Sequence, residues 1–139
     1  MGKKVKVVFD TNVWVSIFIE EVLYEKYSHY QEELTVFASR DIMLESTKVL
    51  LYPKIAIILE KSGLSNKDVI RALSSEVEMV EPKVKLQEVE DDHEDNKILE
   101  CALACRAEVI VTGDKHLLRL GKFKKIRILS SRDFFDSFV

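Results

Sequence analysis

The 139-residue chain is poor in residues that cross-link or punctuate: two cysteines, two prolines and four glycines. Cys101 and Cys105 lie one helical turn apart in an apolar pattern. No Cys/His cluster surrounds them, which excludes a disulfide scaffold and a structural zinc site and leaves structural thiols. Scarce Gly and Pro exclude low-complexity and collagen-like classes and predict short loops and plentiful helices. No long hydrophobic run is present. The opening MGKKVKVVFD has a basic start but few apolar residues before Asp10, neither a signal peptide nor a membrane span. A cytoplasmic location is expected, with no membrane partner. An excess of one charge is also missing: 21 Lys+Arg face 24 Asp+Glu, a formal net of -3. That excludes a simple basic coat for nucleic acid, but not an enzyme acting on nucleic acid through an acidic metal pocket.

What is present reads as alternating strands and helices. Residues 4–9 (KVKVVF) turn continuously apolar, as a buried strand does. Thr11 or Asn12 is expected to cap a helix running to about His29. Further strands are expected at 34–38, 76–80, 108–111 and 126–129. Helices are expected after Ser39, from Pro53 to Gly63, after Ser65, and over 95–105, 115–120 and 131–138. Residues 84–94 form an acidic connection. The pattern predicts an α/β fold, a three-layer α/β/α sandwich with a mainly parallel central sheet. A length of 139 residues fits one domain spanning 1–139. In such folds the functional crevice lies beyond the carboxyl ends of the strands.

The carboxylates fall at that address. Asp10 directly follows the first strand, and Asp114 holds the equivalent position after EVIVTG, with Thr112 in hydroxyl reach. If the two strands are parallel neighbours, both acids emerge at one edge, although a strand-end Asp is also a common helix cap. Asp41 and Glu45 share one helical face, which fits either a solvated face or a ligand near an apolar seam. Asp92 and Asp95 lie three apart, with Asn96 following. Asp95 also fits a helix start electrostatically. Six carboxylates crowd residues 88–95 and call for exposure or a neutralising cation. Converging acids suit Mg²⁺ or Mn²⁺, which take oxygen ligands, lower the pKa of bound water and stabilise charge on a phosphoryl group.

An ordered set of motifs carries a resemblance: VVFDTNVWVS at 7–16, SRDIMLESTKVLLYPK at 39–54, DDHEDNKILECALACRAEVIVTGDKHLL at 91–118 and ILSSRDFF at 128–135. The set resembles the PIN domains, metal-dependent ribonucleases that include toxin components of many prokaryotic toxin–antitoxin pairs. It is most like the group that supplies such toxins. The resemblance implies a PIN-like fold and four catalytic and metal-holding acids, Asp10, Glu45, Asp95 and Asp114. It also implies Asn12 hydrogen-bonding the first acid, Thr112 beside the metal site, and Asp92 opening the acidic stretch read here as DHEDN. His93 and Glu94 depart from the usual Pro and Asp of that stretch. Implied too are RNA as substrate, Mg²⁺ (or Mn²⁺) as cofactor, cleavage leaving a 3′-hydroxyl and 5′-phosphate, a cognate antitoxin protein and a homodimer.

Basic residues after the fourth acid, among them Lys115, Arg119, Lys122, Lys124, Lys125 and Arg127, read as a solvated face or as phosphate contacts. Lys3, Lys4 and Lys6 add a second patch. Lys115 and Arg119 are the candidates for substrate phosphate, and His116 reads as structural or exposed. Trp14 fits core packing, while Tyr24, Tyr27 and Tyr30, at helical spacing, fit a core face, a subunit face or an antitoxin contact. A receiver lacks its second early acid here, and an aspartyl phosphatase lacks its second Asp, since Asn12 occupies that place. The remaining alternative is a PIN-like RNA- or protein-binding module with weak or no catalysis.

Overall fold

The computed structural model describes residues 3–86 and 93–138. Its sheet has the order β3-β2-β1-β4-β6-β5. The strands are β1 (Val5–Phe9), β2 (Leu34–Ala38), β3 (Val77–Met79), β4 (Val109–Val111), β5 (Lys122–Phe123) and β6 (Ile126–Leu129). All neighbouring pairs are parallel except β5 with β6. Central β1 pairs Val8 with Phe37 on one side and Phe9 with Val111 on the other. Phe9 and Val111 therefore end together, and the residues after them leave the same edge.

Helices cover both faces, because the strands alternate their side chains between two cores. Val7, Phe9, Val109 and Val111 join one core with α1 (Thr11–Ile19), α2 (Glu21–Tyr30) and α8 (Ser131–Asp136). Val8, Ile110, Ile126 and Ile128 join the other with α6 (His93–Cys105) and α7 (Lys115–Leu120). The helix α3 (Arg40–Leu50) reaches both, giving Ile42 to the second core and Leu50 to the first. Two more helices, α4 (Pro53–Lys61) and α5 (Asn66–Glu76), return the chain to β3. The result is an α/β/α three-layer sandwich with a mostly parallel sheet. Among the described residues, no helix is long and apolar enough to cross a membrane.

Several local expectations take a different form. The expected helix to His29 breaks at Glu20, whose backbone is extended (φ -104°, ψ 112°). No Pro or Gly announces the break; packing requires it. In one straight helix, Trp14 and Tyr27 would stand roughly 20 Å apart. Here their rings lie 5.5 Å apart, both within reach of Phe9. Trp14 is buried at 2% exposure, so it is a core residue, while Tyr24 is exposed. Tyr27 donates its hydroxyl to Glu76 (2.9 Å) and Tyr30 stacks on Phe138. The cap of α1 is Asp10, not Thr11 or Asn12. Ser39 and Ser65 cap α3 and α5 as expected. Cys101 and Cys105 are buried free thiols inside α6.

Candidate metal centre

The β1–β4 register brings the two strand-end acids together. Asp10 caps α1 with Oδ1, which accepts from the Asn12 backbone amide at 2.8 Å. Its Oδ2 accepts from the Thr112 hydroxyl. Thr112, wholly buried, in turn accepts from the Asp114 amide at 3.0 Å. Asp114 caps α7 with Oδ1, taking the amides of His116 (2.7 Å) and Leu117 (3.3 Å). Both acids therefore do serve as helix caps, and one threonine hydroxyl links them across neighbouring strands. Asp114 uses Oδ1 for both cap bonds, which leaves Oδ2 as the oxygen open to a further ligand. The bond expected from Asn12 is present but comes from its backbone, so the Asn12 side chain is not what holds Asp10.

Asp95 and Glu45 arrive on helices. Asp95 lies in the first turns of α6 at 4% exposure, and Glu45 is half-buried in the second turn of α3. Asp10, Glu45, Asp95 and Asp114 all line one crevice of about 230 Å³, together with Thr11 and Asn12 and apolar walls from Ile42, Val49 and Ile98. Two of these acids also meet a histidine: one ligand atom each from Asp95, Asp114 and His116 lies within 4.8 Å of the others. His116 Nδ1 stands 3.8 Å from Asp114 Oδ1. Its ring is exposed, as its sequence position suggested, yet it also joins the acidic cluster. The available signal was its place two residues after Asp114, at the start of a short helix.

Electrostatics fit a cation. Burial pushes the Asp10 carboxyl above its ordinary range, and the nearby Asp114 charge adds to this. Bonds from Thr112 and from the Asn12 and Val13 amides oppose the shift without cancelling it. A buried carboxylate in this position gains from a counter-charge. Two carboxylates and an imidazole within one ion's reach form a donor set suited to divalent ions.

Asp41, a turn before Glu45, does not reach the crevice; it pairs instead with Lys97 at 3.5 Å. Asp92 lies outside the described residues. Lys115 and Arg119 are exposed on α7, immediately after Asp114. The rest of the basic run is elsewhere. Lys122 pairs with Arg127 in the β5–β6 hairpin, and Arg127 stands opposite Val109, away from the carboxyl edge. A larger cleft, about 780 Å³, opens beside the crevice, with Arg40, Asp41, Lys97 and Glu100 on its wall. Sequence reasoning did not single out Lys97 or Glu100.

A crevice rimmed by acids at the carboxyl edge of a mostly parallel sheet defines a class, α/β proteins with an acidic crevice compatible with a divalent cation. The chain belongs to the PIN domain family, which residues 6–116 match. It is similar to the uncharacterized protein MJ1680 of Methanocaldococcus jannaschii, 28% identical over 152 aligned positions that cover 97% of this chain and 92% of the relative. The crystal structure of PAE2754 from Pyrobaculum aerophilum shares the fold with a TM-score of 0.60. It covers 96% of this chain and 88% of its own at 16% identity.

Proposed function

We propose that the protein is a Mg²⁺- or Mn²⁺-dependent ribonuclease that hydrolyses RNA phosphodiester bonds, and that it acts as the toxin of a toxin–antitoxin pair. One observation carries the catalytic part. Four acids from four separate chain segments line a single small crevice, and one of them, Asp10, is buried and short of counter-charge. Asp10, Asp95 and Asp114 would hold the metal, with His116 as an additional ligand. A bound divalent cation lowers the pKa of water and offsets charge developing on the phosphoryl group. Glu45, half-buried on the facing helix, would complete the metal's ligand set and from there orient the attacking water and accept its proton. Thr112 keeps Asp10 and Asp114 in mutual register. Lys115 and Arg119 would take the RNA backbone without reading its bases.

The test is cleavage of a mixed panel of structured and single-stranded RNAs with Mn²⁺. Glu45→Gln should lower the rate by about 10²–10⁴-fold, the usual contribution of a general base. Asp95→Asn should abolish both cleavage and Mn²⁺ binding. Unchanged cleavage by both variants would exclude this site. RNA binding without cleavage by the wild-type protein would instead favour a binding module. A cognate antitoxin and a homodimer belong to the same proposal. Co-expression with the product of a short adjacent reading frame should suppress cleavage, and sedimentation should report a dimer.

A further inference from the structure

We propose that α3 is held by two polar tethers, Lys97 on one side and the Thr11–Ser46 hydroxyl pair on the other, which fix Glu45 at the crevice. The inference rests on reading that crevice as a metal site. The four acids are not equally anchored. Asp10 and Asp114 leave strand ends set by sheet hydrogen bonds, such as Asp10 N–H to the Val111 carbonyl (3.1 Å) and Thr112 N–H to the Leu129 carbonyl (3.0 Å). Glu45 sits in the second turn of a helix, so its place depends on how that helix is rolled. Apolar packing grips α3 near its ends, through Ile42 and Leu50 with Met43 and Val49 partly buried beside them. Such contacts are non-directional, and polar contacts add a directional constraint on the turn between them.

Directional contacts flank Glu45. One turn before it, Asp41 Oδ2 pairs with Lys97 Nζ at 3.5 Å. The Lys97 side chain is only 16% exposed and also meets Glu100 Oε1 at 3.7 Å. Glu100, 4% exposed, accepts the Leu86 amide on its other oxygen at 2.9 Å. A carboxylate buried this deeply is retained where cation and amide both satisfy it. Directly after Glu45, the hydroxyl of Ser46 (1% exposed) lies 2.9 Å from that of Thr11, itself next to Asp10. One tether thus joins α3 to the helix of Asp95 and the other to the helix capped by Asp10. The Lys97–Asp41 ion pair and the Thr11–Ser46 contact together hold α3 against those two helices. Lys97, Thr11 and Ser46 are positioning residues, acting through Glu45.

The experiment is calorimetric titration of the full chain with Mn²⁺. Lys97→Met and Ser46→Ala should each weaken binding by about 10–100-fold, as loss of groups that orient metal ligands does. Lys97→Arg should restore most of the affinity. In a Glu45→Ala background, Lys97→Met should have no further effect, because the coupling runs through Glu45. Wild-type affinity in both single variants would overturn the tethers and leave the metal site standing. An equal loss in the Glu45→Ala background would overturn them too, assigning Lys97 a general packing role. No Mn²⁺ binding by the wild-type chain would remove the metal site and the tethers together. Should Lys97→Met fail to fold, Ser46→Ala in the two backgrounds makes the same comparison.

Discussion

Asp10 shows how a single residue serves two ends. As a cap it satisfies the Asn12 amide, and as a buried acid it stores an unfavourable charge. Its folded pKa is raised, so the native state holds the proton more tightly than the unfolded chain. Stability from this group is therefore fully present below the unfolded value of 3.8 and is lost as pH rises through the folded value. Above that folded value the whole penalty is in force. Asp10→Asn keeps a cap acceptor and removes the charge, so without divalent metal it should melt higher than wild type at pH 7. With Mn²⁺ the order should reverse, because the wild type alone gains binding stabilisation. Differential scanning calorimetry with and without EDTA measures both. Tyr27 titrates in the opposite range: burial, the bond to Glu76 and the Glu76 charge push its phenol above its ordinary value of 10.0. The unfolded chain loses that proton first, so stability falls as pH rises above 10. Tyr27→Phe should flatten the alkaline limb of the urea midpoint against pH, while lowering stability at pH 7 by about 1 kcal/mol through the lost hydrogen bond.

At the scale of elements, the readable ones carried their own punctuation. Ser39 and Ser65 cap α3 and α5, Pro53 opens α4, and Gly63 closes it at φ +79°. Elements without such signals were missed or misjudged. The β5–β6 hairpin turns through Lys124 at φ 55°, a conformation that Gly or Asn usually announces. Arg106 ends α6 the same way at φ 55°, although apolar periodicity alone had placed that helix end correctly at Cys105. Lys124→Gly should therefore relieve strain and raise stability by about 1 kcal/mol in chemical denaturation. An unchanged or lower midpoint would show that the turn is unstrained. The break at Glu20 belongs here too. Nothing local demands it, and only the contact of Tyr27 with Phe9 and Trp14 does.

Across the whole molecule, the fold divides the charge. Acids gather at the carboxyl edge of the sheet, while Lys122 and Arg127 sit on the edge hairpin, back from that rim. The basic run in the sequence thus becomes two surfaces, and α7 alone carries its cations beside the crevice. RNA binding should separate them. Removing Lys115 and Arg119 together should reduce the slope of log affinity against log salt by about 1.4, at about 0.7 per phosphate contact on a single strand. Removing Lys122 and Arg127 should leave the slope unchanged. Fluorescence anisotropy of a labelled RNA across a salt series measures this, and equal effects from both pairs would place the RNA over the hairpin as well.

The sequence by itself determined the layer order and most element positions, because hydrophobic periodicity and caps are local and act within one turn or one strand. It also offered the acids Asp10, Glu45, Asp95 and Asp114 as candidates by strand-end position and helical spacing, and the resemblance to PIN domains joined them into one set. Tertiary structure decided what spacing cannot express. Parallel pairing of β1 with β4 put Asp10 and Asp114 at one rim, and Thr112, 102 positions along the chain from Asp10, linked the two acids. Packing brought His116 into the acidic cluster, and it turned Asp41 away to Lys97. Those outcomes depend on which surfaces meet, and contact between distant segments is set by the burial of the whole core rather than by any neighbouring residue.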